Sequence, residues 1–283
     1  MLALDRNVLL HTVVTGAGAL LLTAAAPRIP PPPPLPQPSY ADLADLADSA
    51  PLVIRAQLRR LTPVEPERAR GVAPGQGRFF IEARTEALIA GPVALGEQLR
   101  FLADLPLDSR GHPPKLKKVS TVLFARTVPA QPGALQLVSP DALVVWDPVT
   151  DGRLRAILGE LLGNAPPPRV SAVREAINVP GNLAGESETQ LFLATPGGEP
   201  AAITVVHVPG QRPTWSVSFS ELLGAGARPP ERETLAWYRL ACFLPQTLPA
   251  SAHVSATPAL RDQAAEDYGL VRLQLGNCPR TRG

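Results

Sequence analysis

The stretch Leu52-Val53-Ile54-Arg55-Ala56-Gln57-Leu58-Arg59-Arg60-Leu61 sets Arg55, Gln57 and Arg59 at every second place of a run rich in Val, Ile and Leu. A period of two predicts a β-strand with one face in a core and one face outward. The chain before it reads differently. Tyr40–Ser49 spaces Leu43 and Leu46 three apart with Ala47 beside them, and its aspartates fall on other faces, which predicts a short amphipathic helix capped by Ser39. Pro51 ends that helix, because the residue before a proline avoids the helical region. After Leu61 the period of two returns. Residues 62–77 hold six Pro or Gly and read as a loop. Phe79–Ile89 follows as a strand with Glu82, Arg84 and Glu86 outward. Gly91-Pro92 is a turn and Gln98–Ala103 a third strand. A loop from Leu105 to Lys118 leads to Ser120–Thr127, and Ala134–Trp146, broken around Ser139-Pro140, supplies a fifth strand. Five strands in about a hundred residues predict a small closed barrel.

This order of helix, strand of the Leu52-Val53-Ile54-Arg55-Ala56 kind, long strand, glycine turn, strand, loop and strand resembles OB-like barrels, particularly the netrin-like modules of secreted proteins. The resemblance covers residues 40–147. It implies a barrel, and through the inhibitory modules of that group it implies an inhibitor of exported enzymes. Such modules usually carry cysteines near their N-terminus, and residues 40–147 have none.

The second half predicts helices and an antiparallel meander. Gly152–Gly163 places Leu154, Ile157, Leu158, Leu161 and Leu162 at helical spacing, and Ala165-Pro166-Pro167-Pro168 then forms a hinge. Val170–Ile177 reads as a short helix. Thr189–Ala194, Ala201–Val208 and Thr214–Phe219 read as three strands turned at Gly197-Gly198 and Pro209-Gly210. A buried helix is expected over Glu231–Phe243, another helix over Pro258–Asp267, and a last strand over Leu270–Leu275. The fold class is therefore α+β: a small five-stranded OB-like β-barrel, followed by an antiparallel β-meander with packed helices.

The N-terminus predicts export. Val8 to Ala26 is almost wholly apolar or small, Arg6 precedes it, and Thr23-Ala24-Ala25-Ala26 closes it. That pattern is a signal peptide over residues 1–25, cut after Ala25. The alternative is an uncleaved anchor, which needs roughly 20 apolar residues; membrane contact is expected only in that case. Residues 26–39 form a Pro-rich linker, since eight of the twelve residues in Pro27–Pro38 are proline. Consecutive prolines favour an extended polyproline strut of ~3.1 Å per residue. The remaining organisation is a barrel-like domain over 40–147, a helix and proline hinge over 148–169, and an α+β domain over 170–283.

Composition narrows the function classes. The formal net charge is +2, with basic and acidic residues interspersed, so no nucleic-acid partner is expected. In an exported chain the two cysteines, Cys242 and Cys278, point to a disulfide; the alternative is two unpaired thiols. The strongest charge cluster is the loop Arg110, His112, Lys115, Lys117 and Lys118, which holds every lysine of the chain. It is a candidate anion site for a phosphate-bearing lipid or sugar, the alternative being a solvated loop. Glu186 and Glu188 lack the Asp-x-Asp context of a calcium loop. No histidine pair has zinc spacing, and no Gly-x-Ser-x-Gly elbow occurs. No catalytic residue, metal or cofactor is assigned. Ser216 or Ser218 beside His207 is the conceivable nucleophile pair, and Trp215, Trp237 and Tyr238 read as core. The expected function is a periplasmic or secreted, non-catalytic binding or scaffolding protein with an unidentified envelope component as partner. The competing class is a hydrolase whose site assembles only in the fold.

Overall fold

The strand that begins at Leu52 lies at the centre of a six-stranded antiparallel sheet. A computed structural model describes residues 35–220 and 228–282; the expected signal peptide and residues 26–34 of the expected linker lie outside the described residues. Strands β1 (Leu52–Pro63), β2 (Gln76–Ala90), β3 (Gln98–Pro106), β4 (Ser120–Thr127) and β5 (Leu135–Leu137) lie in the order β3-β2-β1-β4-β5, and β6 (Leu143–Val145) also pairs with β4. The break at Ser139-Pro140 separates β5 from β6. Ile54, Ala56 and Leu58 turn into the core. The β1–β2 register shifts three times, including between Leu58 and Arg60, and such irregularities add twist and bend.

The bend brings the two ends of the sheet together. Arg100 of β3 forms a parallel bridge with Ala134, its N–H donating to Gly133 O at 2.8 Å. Asp104 N–H donates to Pro140 O at 2.8 Å. Gly133 has φ +72°, and a Cβ there would stand 2.6 Å from Gln98 O, so a side chain would push the edges apart. No continuous ladder joins β3 to β5. The expected closed five-stranded barrel is therefore corrected to a curled, six-stranded sheet.

The second sheet has the order β10-β9-β8-β7, all antiparallel, with β7 (Ala172–Pro180), β8 (Ser187–Ala194), β9 (Ala202–His207) and β10 (Thr214–Ser218). The meander is as expected, but with a fourth strand. Val170–Ile177, read as a helix, runs into β7 instead. Its Ala, Arg and Glu content favours helix only weakly, and pairing with β8 overrides that preference while burying Val173 and Ala176.

Among the described residues four α-helices accompany the sheets: α1 (Tyr40–Ser49), α2 (Pro148–Leu161), α3 (Leu235–Ala241) and α4 (Pro258–Leu275). Ser39 and Asp42 form a reciprocal capping box at the start of α1. Helix α3 is shorter than the expected Glu231–Phe243, because Thr234 caps it by accepting from Trp237 N–H at 3.2 Å. The predicted strand Leu270–Leu275 is the last turns of α4. Ala264, Tyr268, Val271 and Leu275 keep a helical period across Gly269 and are all buried. A glycine inside a helix costs about 1 kcal/mol, which one buried stripe offsets. The Cys242–Cys278 disulfide, with a sequence separation of 36, therefore joins the ends of two helices. Both sheets and all four helices contribute to one contiguous core, including Leu43, Ile54, Leu123, Ile157, Ile203, Leu235 and Tyr268. Among the described residues no helix is long and apolar enough to cross a membrane.

Candidate functional site

In the β3–β4 loop, Pro114 and Leu116 are buried and plug the end of the first sheet, while Lys115, Lys117 and Lys118 point outward. Lys118 takes a positive φ of 68°, and its N–H donates to Leu58 O at 2.8 Å. The loop is thereby fastened beside the β1 irregularity. Asp108 organises its other end, accepting from the N–H groups of His112 at 2.8 Å and Arg110 at 2.9 Å. The His112 backbone bond is the main cause that holds this half-buried carboxyl below its usual range. The His112 ring faces the same carboxylate at 3.6 Å. The structure thus separates the five expected residues: Arg110 and His112 surround Asp108, and the lysines stand free of ion pairs among the described residues.

The outer face of β1–β2–β3 carries a second basic feature, and strand register creates it. Arg60, Glu82 and Arg100 lie in one cross-strand row, Gln57, Arg84 and Gln98 in the next, and Thr62, Phe80 and Leu102 on the other side. Arg59, Glu82, Arg84, Glu97, Gln98 and Arg100 line an open cleft of about 470 Å³. Arg59, Arg84 and Arg100 have no carboxylate within ion-pair distance among the described residues. Phe80 and Leu102, directly paired, remain 37% and 49% exposed. Where β3 and β5 diverge, a neighbouring hollow of about 490 Å³ holds Arg126 above Leu135, Val138 and Pro140. Its wall is a bidentate pair, Arg78 to Asp104 at 2.7 and 2.8 Å, whose hydrogen bonds raise the Arg78 pKa. The alternation of β1 and β2 marked Arg59, Glu82 and Arg84 as outward. Their convergence with Arg100 needed the register.

His207 sits in a buried network over the second sheet. Its Nε2 lies 2.6 Å from Asp267 Oδ1. Thr189 donates its hydroxyl to Asp267, Asn178 Nδ2 donates to Thr189 Oγ1 at 2.8 Å, and Gln263 Nε2 donates to Asp267 at 3.1 Å. Asn178, Thr189 and Asp267 are nearly inaccessible, so the network fastens α4 to β7, β8 and β9. Ser216 and Ser218 pair with Thr204 and Ala202, away from His207. The serine directly across from His207 is Ser187, which sequence spacing could not identify. Glu186 folds back to accept from Asn182 and Leu183 N–H groups, and Glu188 accepts from Gln190. Among the described residues no cluster of three or more His, Cys, Asp or Glu is placed to hold a metal. Trp215 and Trp237 are buried and donate to Gln274 and to Leu275 O.

A third charged region lies along α1. Asp42, Asp45 and Asp48 recur at intervals of three and are each met by other elements. Thr281 donates to Asp42 through N–H at 3.0 Å and hydroxyl at 2.7 Å. Tyr238 and Arg280 donate to Asp45. Arg239 forms a bidentate pair with Asp48 at 2.8 and 2.9 Å, joined by Arg169 at 2.7 Å. Burial opposes ionisation of Asp42 and Asp48, but hydrogen bonds from Thr281 and Ser39 in one case, and from Arg239 and Arg169 in the other, outweigh it and hold both below the usual range. Burial together with Asp45 drives the Tyr238 hydroxyl far up.

No protein-family model matches this sequence, and no curated protein matches it significantly.

Proposed function

We propose that this chain is an exported, non-catalytic binding protein of the cell envelope, and that its first sheet, an OB-like barrel left ajar at the β3–β5 edge, is the binding element. The observation that carries the reading is the open cleft of Arg59, Arg84 and Arg100, cations with no ion pair among the described residues, on the outer face of a paired sheet. Unmatched guanidinium groups gathered in one cleft favour an anionic ligand and speed its arrival. The exposed lysines of the β3–β4 loop add to the same field. The disulfide supports export, since such bonds persist in oxidising compartments.

Two measurements test this. Intact mass of the protein from the exported fraction should begin at Ala26, with Cys242 and Cys278 alkylated only after reduction. Anionic envelope polymers and vesicles should retain the chain at low salt and release it as salt rises. A full-length mass, free thiols, or retention by none of these materials would defeat the proposal.

One observation favours the hydrolase reading: His207 holds Asp267 while Ser187 stands opposite on β8. A serine-directed phosphonate should label Ser187 if that reading holds, and leave the chain unlabelled if binding is the role.

A further inference from the structure

We infer that the β1–β2–β3 cleft takes a carboxylated polysaccharide, an inference that rests on the binding role proposed above and specifies its ligand. The cleft is not simply basic. Three guanidinium groups, Arg59, Arg84 and Arg100, alternate with the carboxylates of Glu82 and Glu97, leaving a net charge of +1 on its lining. A matching ligand must therefore present acceptors to the arginines and hydrogen donors to the glutamates within a few ångströms of one another. A sugar acid does both: its carboxylate suits the planar guanidinium fork, and its hydroxyls donate to carboxylate oxygens. A phosphodiester chain without free hydroxyls can meet the arginines equally well, but it offers Glu82 and Glu97 no donor, and like charges brought together without one cost binding energy.

The rest of the face fits the same ligand. One row along the strands from Glu82 and Arg100, about 6.8 Å away by strand geometry, Phe80 and Leu102 form an exposed apolar pair. An aromatic ring beside charged hydrogen-bonding groups can receive the apolar face of a pyranose. The row of Gln57, Arg84 and Gln98 extends the polar surface on the other side. Three rows in sequence, apolar, charged and polar, give a track longer than one sugar ring, so the ligand is a linear chain rather than a monosaccharide. All these side chains project from paired strands, so the backbone beneath them is already ordered and no loop has to be ordered on binding.

The test uses the full chain and four probes: polygalacturonate oligomers, the same oligomers reduced to neutral sugars, polyphosphate, and an oligothymidylate. Titration should detect binding of the polygalacturonate oligomers and little of the other three. The double change Arg84→Gln and Arg100→Gln should weaken that binding about tenfold or more, since charged hydrogen bonds are lost. Phe80→Ala should weaken it several-fold while the melting curves of the variants stay near the parent's. Equal binding of the neutral oligomers would show that the arginines read no charge and would overturn the inference. Polyphosphate or oligothymidylate binding as tightly as polygalacturonate would also overturn it, while leaving an anion-binding role standing. If none of the four binds, both the inference and the role fall.

Discussion

Helix α1 and the outer face of the first sheet carry similar densities of charge and use them in opposite ways. On α1 every aspartate is met: Asp42 by Thr281 and Ser39, Asp45 by Tyr238 and Arg280, Asp48 by Arg239 and Arg169. These contacts gather the second half and the C-terminal residues onto the first helix, and Arg239 is buried in making them. On the sheet, Arg59, Arg84 and Arg100 face an open cleft with no ion pair among the described residues. Buried ions without partners are costly, so the first set has to be matched within the chain. Exposed ions carry no such penalty, and the second set remains available to a ligand. Charge at one place belongs to the fold, and at the other it is left for the binding role proposed above.

That contrast can be broken at several points. The largest effect is expected at Arg239. Arg239→Ala removes the bidentate partner of Asp48 and a buried stem, and should cost about 3–5 kcal/mol in denaturant unfolding; a loss under 1 kcal/mol would mean that the α1 contacts do not hold the halves together. Replacing Cys242 and Cys278 by serine should cost about 3–4 kcal/mol on loop-entropy grounds, read from the same curves with and without reductant. Thr189→Val deprives Asn178 and Asp267 of their shared partner and should cost about 1–3 kcal/mol. An unchanged midpoint would show that water replaces the hydroxyl.

Acid sharpens the comparison further. Asp42 and Asp48 ionise below the unfolded-chain value of about 3.9. Their contribution is complete above that pH and is lost as pH falls through their lower folded values. Stability should therefore drop as pH falls below about 4. Asp48→Asn should flatten this slope while lowering stability at neutral pH, and an unaltered slope would contradict the assignment. The smallest effect on stability is expected from Arg84→Gln and Arg100→Gln, each within about 0.5 kcal/mol of the parent, since neither side chain has an ion pair to lose among the described residues.

Local pattern was enough for the α+β class, both sheets' main strands, α1 with its Ser39 cap, and the cysteine pair. In each case the signal lies in the local sequence: a period of two, a cap, a proline stop, an even cysteine count beside an apolar N-terminal run. It failed where long-range contacts overrode local preference. Val170–Ile177 has helix-forming residues but meets the free edge of β8. Leu270–Leu275 looks like a strand after Gly269, yet its buried stripe continues that of α4. The Leu105–Lys118 loop could be found as basic, but its division into a clamped Arg110–His112 end and three open lysines depends on Asp108 hydrogen bonds and on Leu116 burial. The arginine cleft and the Asp267 network lay beyond any linear reading. Alternation tells which side of a strand a residue faces, but not which residue of another strand stands beside it. That neighbour is set by register, by the shifts within β1–β2, and by where the sheet's edges meet, all of which come from packing across the whole chain.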